Sequence, residues 1–582
     1  MSERVAGVEL GAAVVDRLLA AGVTEIVLAP GSRNAPLGFA AWAAAEAGRL
    51  RLHTRIDERS AGFLGLGLSK VGARAAVVCT SGTAVANLHP AVLEAAHAGI
   101  AVVVVTADRP ARMRETGANQ TTDQVGIFGP LVRTHDLATI DDLADVPWAE
   151  DGPTHVNVQL DVPLVPGELE VAAPATPAAP APPAAPEGPP VAERLAARGS
   201  VVAQSGGSGR RVIDDAPAGP SGSAGSTGSA GVAGAAAVAG VVRLRGGPRT
   251  VVVAGDDAGP PSRVLAERAG WPLLAEPSSG ARTGDNAMRC YRPLLAGPLG
   301  AEIERVVVFG RPTLSRPVTA LLERSDVEVL VVPGRGVWPV RPPGATVLDG
   351  RPEAESADDS DWLDRWREAD REVGRRLDAL LAQEPLTPYA VAGAVSRALP
   401  AGGLLVVGAS SPIRDLDLMH RPATVGERRK IIANRGLAGI DGTISTAIGA
   451  ALGRPDSTRA LALMGDVTFL HDQSSLVLGP QEQRPDLTIV VPNDDGGSIF
   501  AMLEQGAAPL APAFERLFGT PHGVDLGALC GATRTPYLKV TSLPELEQAL
   551  ASPNGGIEVI EAVVSRADRR GLDERIRALA HR

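Results

Sequence analysis

Cysteine is nearly absent: the chain has three in 582 residues, at positions 79, 290 and 530. Scattered thiols of this kind supply neither a disulfide framework nor the paired spacing of a structural metal site, and a reduced cytoplasm is their simplest home. Long apolar runs are missing too. No stretch approaches the roughly 20 residues of a membrane span, and no basic-then-apolar opening suggests export, so no integral membrane segment is expected. A net charge of −11 argues against a general nucleic-acid surface. Nucleotide-binding signatures are lacking as well. No Walker sequence occurs, and Val253-Ala254-Gly255-Asp256-Asp257-Ala258-Gly259 lacks the Gly-x-Gly-x-x-Gly spacing, so it reads as a tight strand-to-helix turn. No internal sequence repeat is visible.

What is present is a pair of acidic tips. Residues 460–464 (ALALM) form an apolar run that ends in Gly465-Asp466, and residues 487–491 (LTIVV) form a second that ends in Pro492-Asn493-Asp494-Asp495-Gly496. Each reads as a buried strand of a parallel sheet. The segment between them is long enough for a crossover helix, which places both tips at one carboxyl edge, where open α/β sheets bind ligands. Hard cations such as Mg²⁺ take one or two protein carboxylates and fill the remaining positions with phosphate oxygens. Asp466 and Asp494 suit that role, with the Gly496 carbonyl as third ligand. The residues alone leave open whether Asn493, Asp494 or Asp495 is the second ligand, and an acidic residue after a strand also serves as a helix cap or turn former.

A second block lies near the N-terminus. Residues 25–29 read as a strand that opens into Pro30-Gly31-Ser32-Arg33-Asn34, and Asp57-Glu58-Arg59 follows, ahead of the small-residue helix expected at 61–68. Taken alone, Glu58 reads equally well as an exposed salt-bridge residue.

Gly465-Asp466, 28 residues ahead of Asp494, and then Gly496-Gly497-Ser498-Ile499-Phe500 resemble the signature of thiamine diphosphate enzymes. Two departures stand out, Val467 where glycine is usual and Asp494 where asparagine is usual. Further blocks occur in the order found in the MenD family of menaquinone biosynthesis: Pro30-Gly31-Ser32-Arg33, Thr106-Ala107-Asp108-Arg109-Pro110, Gly117-Ala118-Asn119-Gln120-Thr121, Asn434-Arg435-Gly436 and Gly439-Ile440-Asp441-Gly442. The resemblance spans both ends of the chain.

It implies thiamine diphosphate and Mg²⁺, with Mn²⁺ as the alternative ion, and the substrates 2-oxoglutarate and isochorismate. Glu58 would bond the aminopyrimidine N1′, Gly439 and Ile440 would support the bent cofactor, and Gly465 would accompany Asp466 at its diphosphate. Both substrates are dicarboxylates entering an acidic protein, so cations must be local. Arg33, Arg109, Arg414 and Arg435 sit at strand-end loops, and guanidinium forks bind carboxylates bidentately. Ser32, Ser410, Asn119 and Gln120 would add hydrogen bonds, Ile499, Phe500 and Leu503 an apolar wall, and Arg316 a contribution from the middle of the chain. A homodimer or homotetramer with sites shared between chains is implied. Another thiamine diphosphate decarboxylase or carboligase is the alternative. The pyruvate type usually carries a His-His pair, and none of the nine histidines is adjacent to another.

The length suggests about three domains at roughly 150–200 residues each. The expected class is α/β, with parallel sheets flanked by helices. Residues 1–171 read as the pyrimidine-binding unit, 241–384 as a central α/β unit with an amphipathic connecting helix at 362–383, and 385–582 as the diphosphate-binding unit. Between them, 172–240 is a linker region, first Pro/Ala-rich and then Gly/Ser/Ala-rich. Residues 172–190 read as a semi-rigid spacer, while 204 to about 238 are too poor in large apolar residues to fix their own conformation. Replacing residues 204–238 by a short linker should therefore leave melting temperature and turnover nearly unchanged. A large loss of either would show that this segment packs or binds.

Overall fold

Valine-rich runs at 102–105, 251–253 and 306–308 are buried, as parallel strands covered by helices on both faces require. The computed structural model describes residues 7–148, 151–167, 240–337, 342 and 344–581, and all of them fall in one compact unit. The expected linker region lies outside the described residues, apart from Gly240.

Three parallel sheets carry the fold, which is the α/β class expected. The first has six strands, in the order Arg51–Thr54, Glu25–Leu28, Ala75–Cys79, Val102–Asp108, Pro153–Gln159, Thr134–Leu137. The last also has six: Lys430–Ala433, Leu404–Val407, Ala460–Leu463, Leu487–Asn493, Ile557–Val563, Tyr537–Val540. Numbered within its own sheet, each reads 2-1-3-4-6-5. The repeat that the sequence hides is plain in the topology. Between them in the chain lies a five-stranded parallel sheet, ordered Thr346–Val347, Glu328–Val331, Arg305–Phe309, Thr250–Ala254, Leu273–Ala275. The helix Trp362–Leu381 follows, burying Trp362, Trp366 and Leu377. Among the described residues, no helix is long and apolar enough to cross a membrane.

In a sheet wound this way the strand order reverses between strands 1 and 3, and ligands bind in the crevice that opens there. In the first sheet that crevice lies between the loops after Leu28 and Cys79, which hold Ser32 and Arg33 on one side and Ser81 on the other. In the last it lies between the loops after Val407 and Leu463, which hold Ser410 and Asp466.

Two local expectations change. The helix expected to begin at 61 is Glu58–Lys70, because Asp57 caps it by accepting the Arg59 amide at 2.9 Å. The crossover after Asp466 is not one helix but Asp466–His471 followed by the 3-10 turn Gln473–Leu476. Polar side chains interrupt it by bonding elsewhere. Asp472 accepts the Ser445 amide at 2.9 Å, and Ser475 meets Ser60 at 2.9 Å.

Helix Glu58–Lys70 packs lengthwise on helix Thr443–Gly453, and their residues join one apolar core that spans the first and last sheets. The approach is close because glycines line it. A Cβ on Gly67 would stand 2.2 Å from the Thr446 carbonyl oxygen, and one on Gly449 would stand 2.2 Å from that of Leu64. Alanine normally improves a helix by about 1 kcal/mol over glycine, but here the added methyl must displace backbone. Gly67→Ala and Gly449→Ala should each lower stability by about 1–3 kcal/mol in denaturant titrations. A gain in stability would refute the close packing.

Candidate active site

Asp466 opens its helix directly after Gly465 and is buried. Its Oδ1 accepts the Val467 amide at 2.8 Å, while Oδ2 accepts the Gly496 amide at 2.8 Å and faces His522 Nε2 at 3.0 Å. The three neighbours at the next strand end divide their tasks. Asn493 donates to Glu561 and accepts the Asp495 amide. Asp495 accepts the amides of His522 and Gly523. Asp494, which a Ser498 hydrogen bond stabilises, lines a cavity together with Asp466. Burial, and after it the Asp466 charge, pushes the Asp494 carboxyl up to about 6. Glycine is needed at 496: its φ is +143°, and a Cβ would stand 2.0 Å from the Gly519 carbonyl oxygen.

That cavity measures about 140 Å³. Ser410, Ile440, Gly465, Ile499 and Phe500 line it along with the two carboxylates and Gly496. Ser410 holds φ +69° without being glycine, the kind of backbone strain that collects at functional sites. Gly439 and Leu503 are not among the lining residues. A larger open groove of about 900 Å³ runs along Trp362–Leu381, but it contains none of the residues the sequence singles out. Two carboxylates, one buried and one half-buried, facing one cavity call for a cation. Among the described residues no three His, Cys, Asp or Glu side chains converge as a metal site, so a metal here would take its other ligands from a carbonyl, water or phosphate, as Mg²⁺ does. The donor set fits a metal diphosphate.

The arginines form two groups. Arg109, buried, donates to Ser81 Oγ at 2.9 Å and to the Gln120 carbonyl at 2.8 Å. Arg33 donates to the Leu160 carbonyl at 3.0 Å, and burial, then the Arg109 charge, lowers its pKa. Gln120 returns its amide to the Ser81 carbonyl, while Asn119 and Ser32 stand exposed beside this group. In the second group Arg414 donates to the Ser410 carbonyl at 2.7 Å, and Arg435 grips Thr313 through its carbonyl and hydroxyl. Burial, then Arg435 and Arg292, lowers the Arg414 pKa. Arg316 is not part of either group. It pairs with Glu504 at 3.0 Å, both largely exposed, and such surface pairs contribute little.

Glu58 is the first residue of its helix and accepts from Asn87 Nδ2 at 3.1 Å. It does not line the Asp466 cavity. Among the described residues, that lining comes entirely from positions 388–500.

Several neighbours carried no sequence signal. His522, Asn87 and Ser81 stand outside every motif. Glu94 does too, yet its carboxylate accepts the Gly436 and Leu437 amides at 2.8 and 2.7 Å and so holds the Arg435 loop. Glu276, from the middle of the chain, accepts the Leu314 amide at 3.0 Å beside Arg435.

Comparison with known proteins places the chain in a family. Residues 8–127 match the family model for the thiamine pyrophosphate enzyme N-terminal TPP binding domain. The 2-succinyl-5-enolpyruvyl-6-hydroxy-3-cyclohexene-1-carboxylate synthase of Nocardioides sp. (strain ATCC BAA-499 / JS614) is 62% identical over 97% of this chain and 96% of its own. The chain belongs to that synthase family. Synthases of the same name from Kineococcus radiotolerans and Saccharopolyspora erythraea are 44% and 43% identical, covering 98% and 97% of both chains. The matched N-terminal model contains Ser32, Arg33, Glu58, Arg109, Asn119 and Gln120, while the carboxylate cavity lies beyond it.

Glu276 gives this family member a measurable electrostatic mark. Burial above all raises its pKa from 4.5 to about 8, against the opposing pull of Arg435. Folding therefore takes up a proton between those values, and this group's contribution to stability declines as pH rises through the window. Glu276→Gln is free of that cost. It should match the parent near the lower end of the window and exceed it in melting temperature above pH 8, with the gap opening in between. A gap that does not change with pH would show Glu276 ionised throughout.

Proposed function

We propose that the chain is a thiamine diphosphate-dependent, carbon–carbon bond-forming transferase of menaquinone biosynthesis. It removes the 1-carboxyl of 2-oxoglutarate as CO₂ and joins the remaining four-carbon unit, through its former keto carbon, to the ring of isochorismate. The observation that carries this reading is the 62% identity over 97% of the chain to a relative named as that synthase. Bound thiamine diphosphate supplies the electron sink that carbanion chemistry needs.

The chain's own residues then bind, orient and exclude water. Asp466, Asp494 and the Gly496 carbonyl hold Mg²⁺, or Mn²⁺ in its place, against the diphosphate. Asp494 is chosen over its neighbours because Asn493 and Asp495 are committed to backbone and side-chain partners. Gly439, Ile440 and Gly465 shape the cofactor's seat, and Glu58 holds a proton at the aminopyrimidine N1′. Arg435 lies close enough to Arg414 for its charge to help lower the Arg414 pKa, a cationic pair suited to a carboxylate, while Arg33 and Arg109 offer a second. Ser32, Ser410, Asn119 and Gln120 add neutral hydrogen bonds. Ile499, Phe500 and Leu503 keep water away, so that the new carbon–carbon bond forms in preference to simple protonation.

We assign the pyrimidine-binding role to residues 1–171, a central unit to 241–384 and the diphosphate-binding role to 385–582, in a cytoplasmic homodimer or homotetramer. The cavity's lining from 388–500 alone supports a site completed by Glu58 of a second copy.

The purified protein with Mg²⁺ and thiamine diphosphate should consume isochorismate only when 2-oxoglutarate is present. Consumption of 2-oxoglutarate with isochorismate untouched would favour a simple decarboxylase. Glu58→Gln and Asp466→Ala proteins, each nearly inactive, should regain about a quarter of the sites when co-expressed, by random pairing in symmetric dimers. Mixed dimers seen by mass spectrometry without regained activity would place both residues in one chain's site.

A further inference from the structure

His522 stands against Asp466 from outside the cavity's lining, and the proposed chemistry leaves it without a task. Its loop is built rather than loose. Asp495 Oδ1 accepts the His522 amide at 3.0 Å and the Gly523 amide at 2.8 Å, which pins the loop's backbone to the strand end that bears Asp494. The Val524 amide donates to His522 Nδ1 at 3.0 Å. That bond makes Nδ1 an acceptor, so the ring proton sits on Nε2. Nε2 in turn stands 3.0 Å from Asp466 Oδ2, with both side chains largely buried. Asp466 therefore receives three donors: His522 and the Gly496 amide on Oδ2, and the Val467 amide on Oδ1. A carboxylate accepts about four hydrogen bonds, and three fixed donors hold it in one orientation with one lone-pair direction left on Oδ1.

We propose that His522 is a positioning residue that orients Asp466 for its metal, through a chain running from Asp495 and Val524 to the imidazole and on to Oδ2. The proposal rests on the reading of Asp466 as a metal ligand. Hydrogen-bonding partners of metal-bound carboxylates commonly set affinity by about 10–100-fold, and that is the effect expected here.

The test is calorimetric titration of Mg²⁺ into the full-length protein with saturating thiamine diphosphate. His522→Ala should weaken Mg²⁺ by about 10–100-fold, with the KM for each substrate near the parent value once Mg²⁺ is saturating. His522→Gln, whose amide N–H can reach Oδ2, should recover most of the loss. His522→Asn, whose amide stops short, should behave like alanine and replaces it if alanine does not fold. Unchanged Mg²⁺ affinity in the alanine or asparagine variant overturns the proposal, and so does a glutamine variant as weak as they are. Asp466→Ala separates the two layers: if it too binds Mg²⁺ normally, the metal assignment fails, whereas its loss beside a normal His522→Ala defeats only the role of His522.

Discussion

The glycine-lined contact between helices Glu58–Lys70 and Thr443–Gly453 is the constraint on which the rest depends. The first helix opens with the site residue Glu58, and the second follows the segment that carries Ile440. Each is buried along almost its whole length, so neither can shift without moving a sheet. Backbone oxygens stand where side chains would otherwise be, and close packing of this kind transmits displacement instead of absorbing it. The Asp472 carboxylate adds a polar lock at the same end. It accepts the Ser445 amide and the Ser475 hydroxyl, and Ser475 reaches Ser60 on the facing helix. Burial raises the Asp472 carboxyl to about 6 despite these donors.

Charge is distributed as the proposed chemistry needs it. The chain carries a net −11, yet the crevice of the first sheet holds Arg33 and Arg109, and Arg414 and Arg435 gather near the middle sheet. The carboxylates of Asp466 and Asp494 face one cavity with no arginine paired to either at ion-pair distance among the described residues. Cationic loops can neutralise two dicarboxylates, while the acidic pair is left for a metal. Around these groups, a buried ion pair between Arg282 and Asp417 at 2.9 Å ties the middle of the chain to its last part, and a second, between Arg569 and Asp415, lies within the last part. Removing one member of such a pair strands a charge, which makes them constraints on geometry more than sources of stability.

Much of this was legible in the chain. The apolar runs at 25–29, 460–464 and 487–491 are the strands Glu25–Leu28, Ala460–Leu463 and Leu487–Asn493. Parallel pairing of Ala460–Leu463 with Leu487–Asn493 followed from two uninterrupted apolar runs with a crossover-length gap. Element ends were less legible where a side chain decided them. Asp57 started its helix three residues early by capping it, and Asp472 and Ser475 broke the crossover by bonding to other helices. No local periodicity records such long-range bonds.

By itself the sequence determined the α/β class, the two acidic strand tips, the arginines at strand-end loops and the family resemblance, because each is written in neighbouring residues or in short motifs. Tertiary structure decided which of Asn493, Asp494 and Asp495 turns toward Asp466, since the other two are taken by partners some 27 to 68 residues away. It also decided that His522, Glu94 and Glu276 stand beside site residues, and that Arg316 does not. Those outcomes depend on which distant donor reaches a buried acceptor first, and a buried polar group must find a partner wherever the fold brings one.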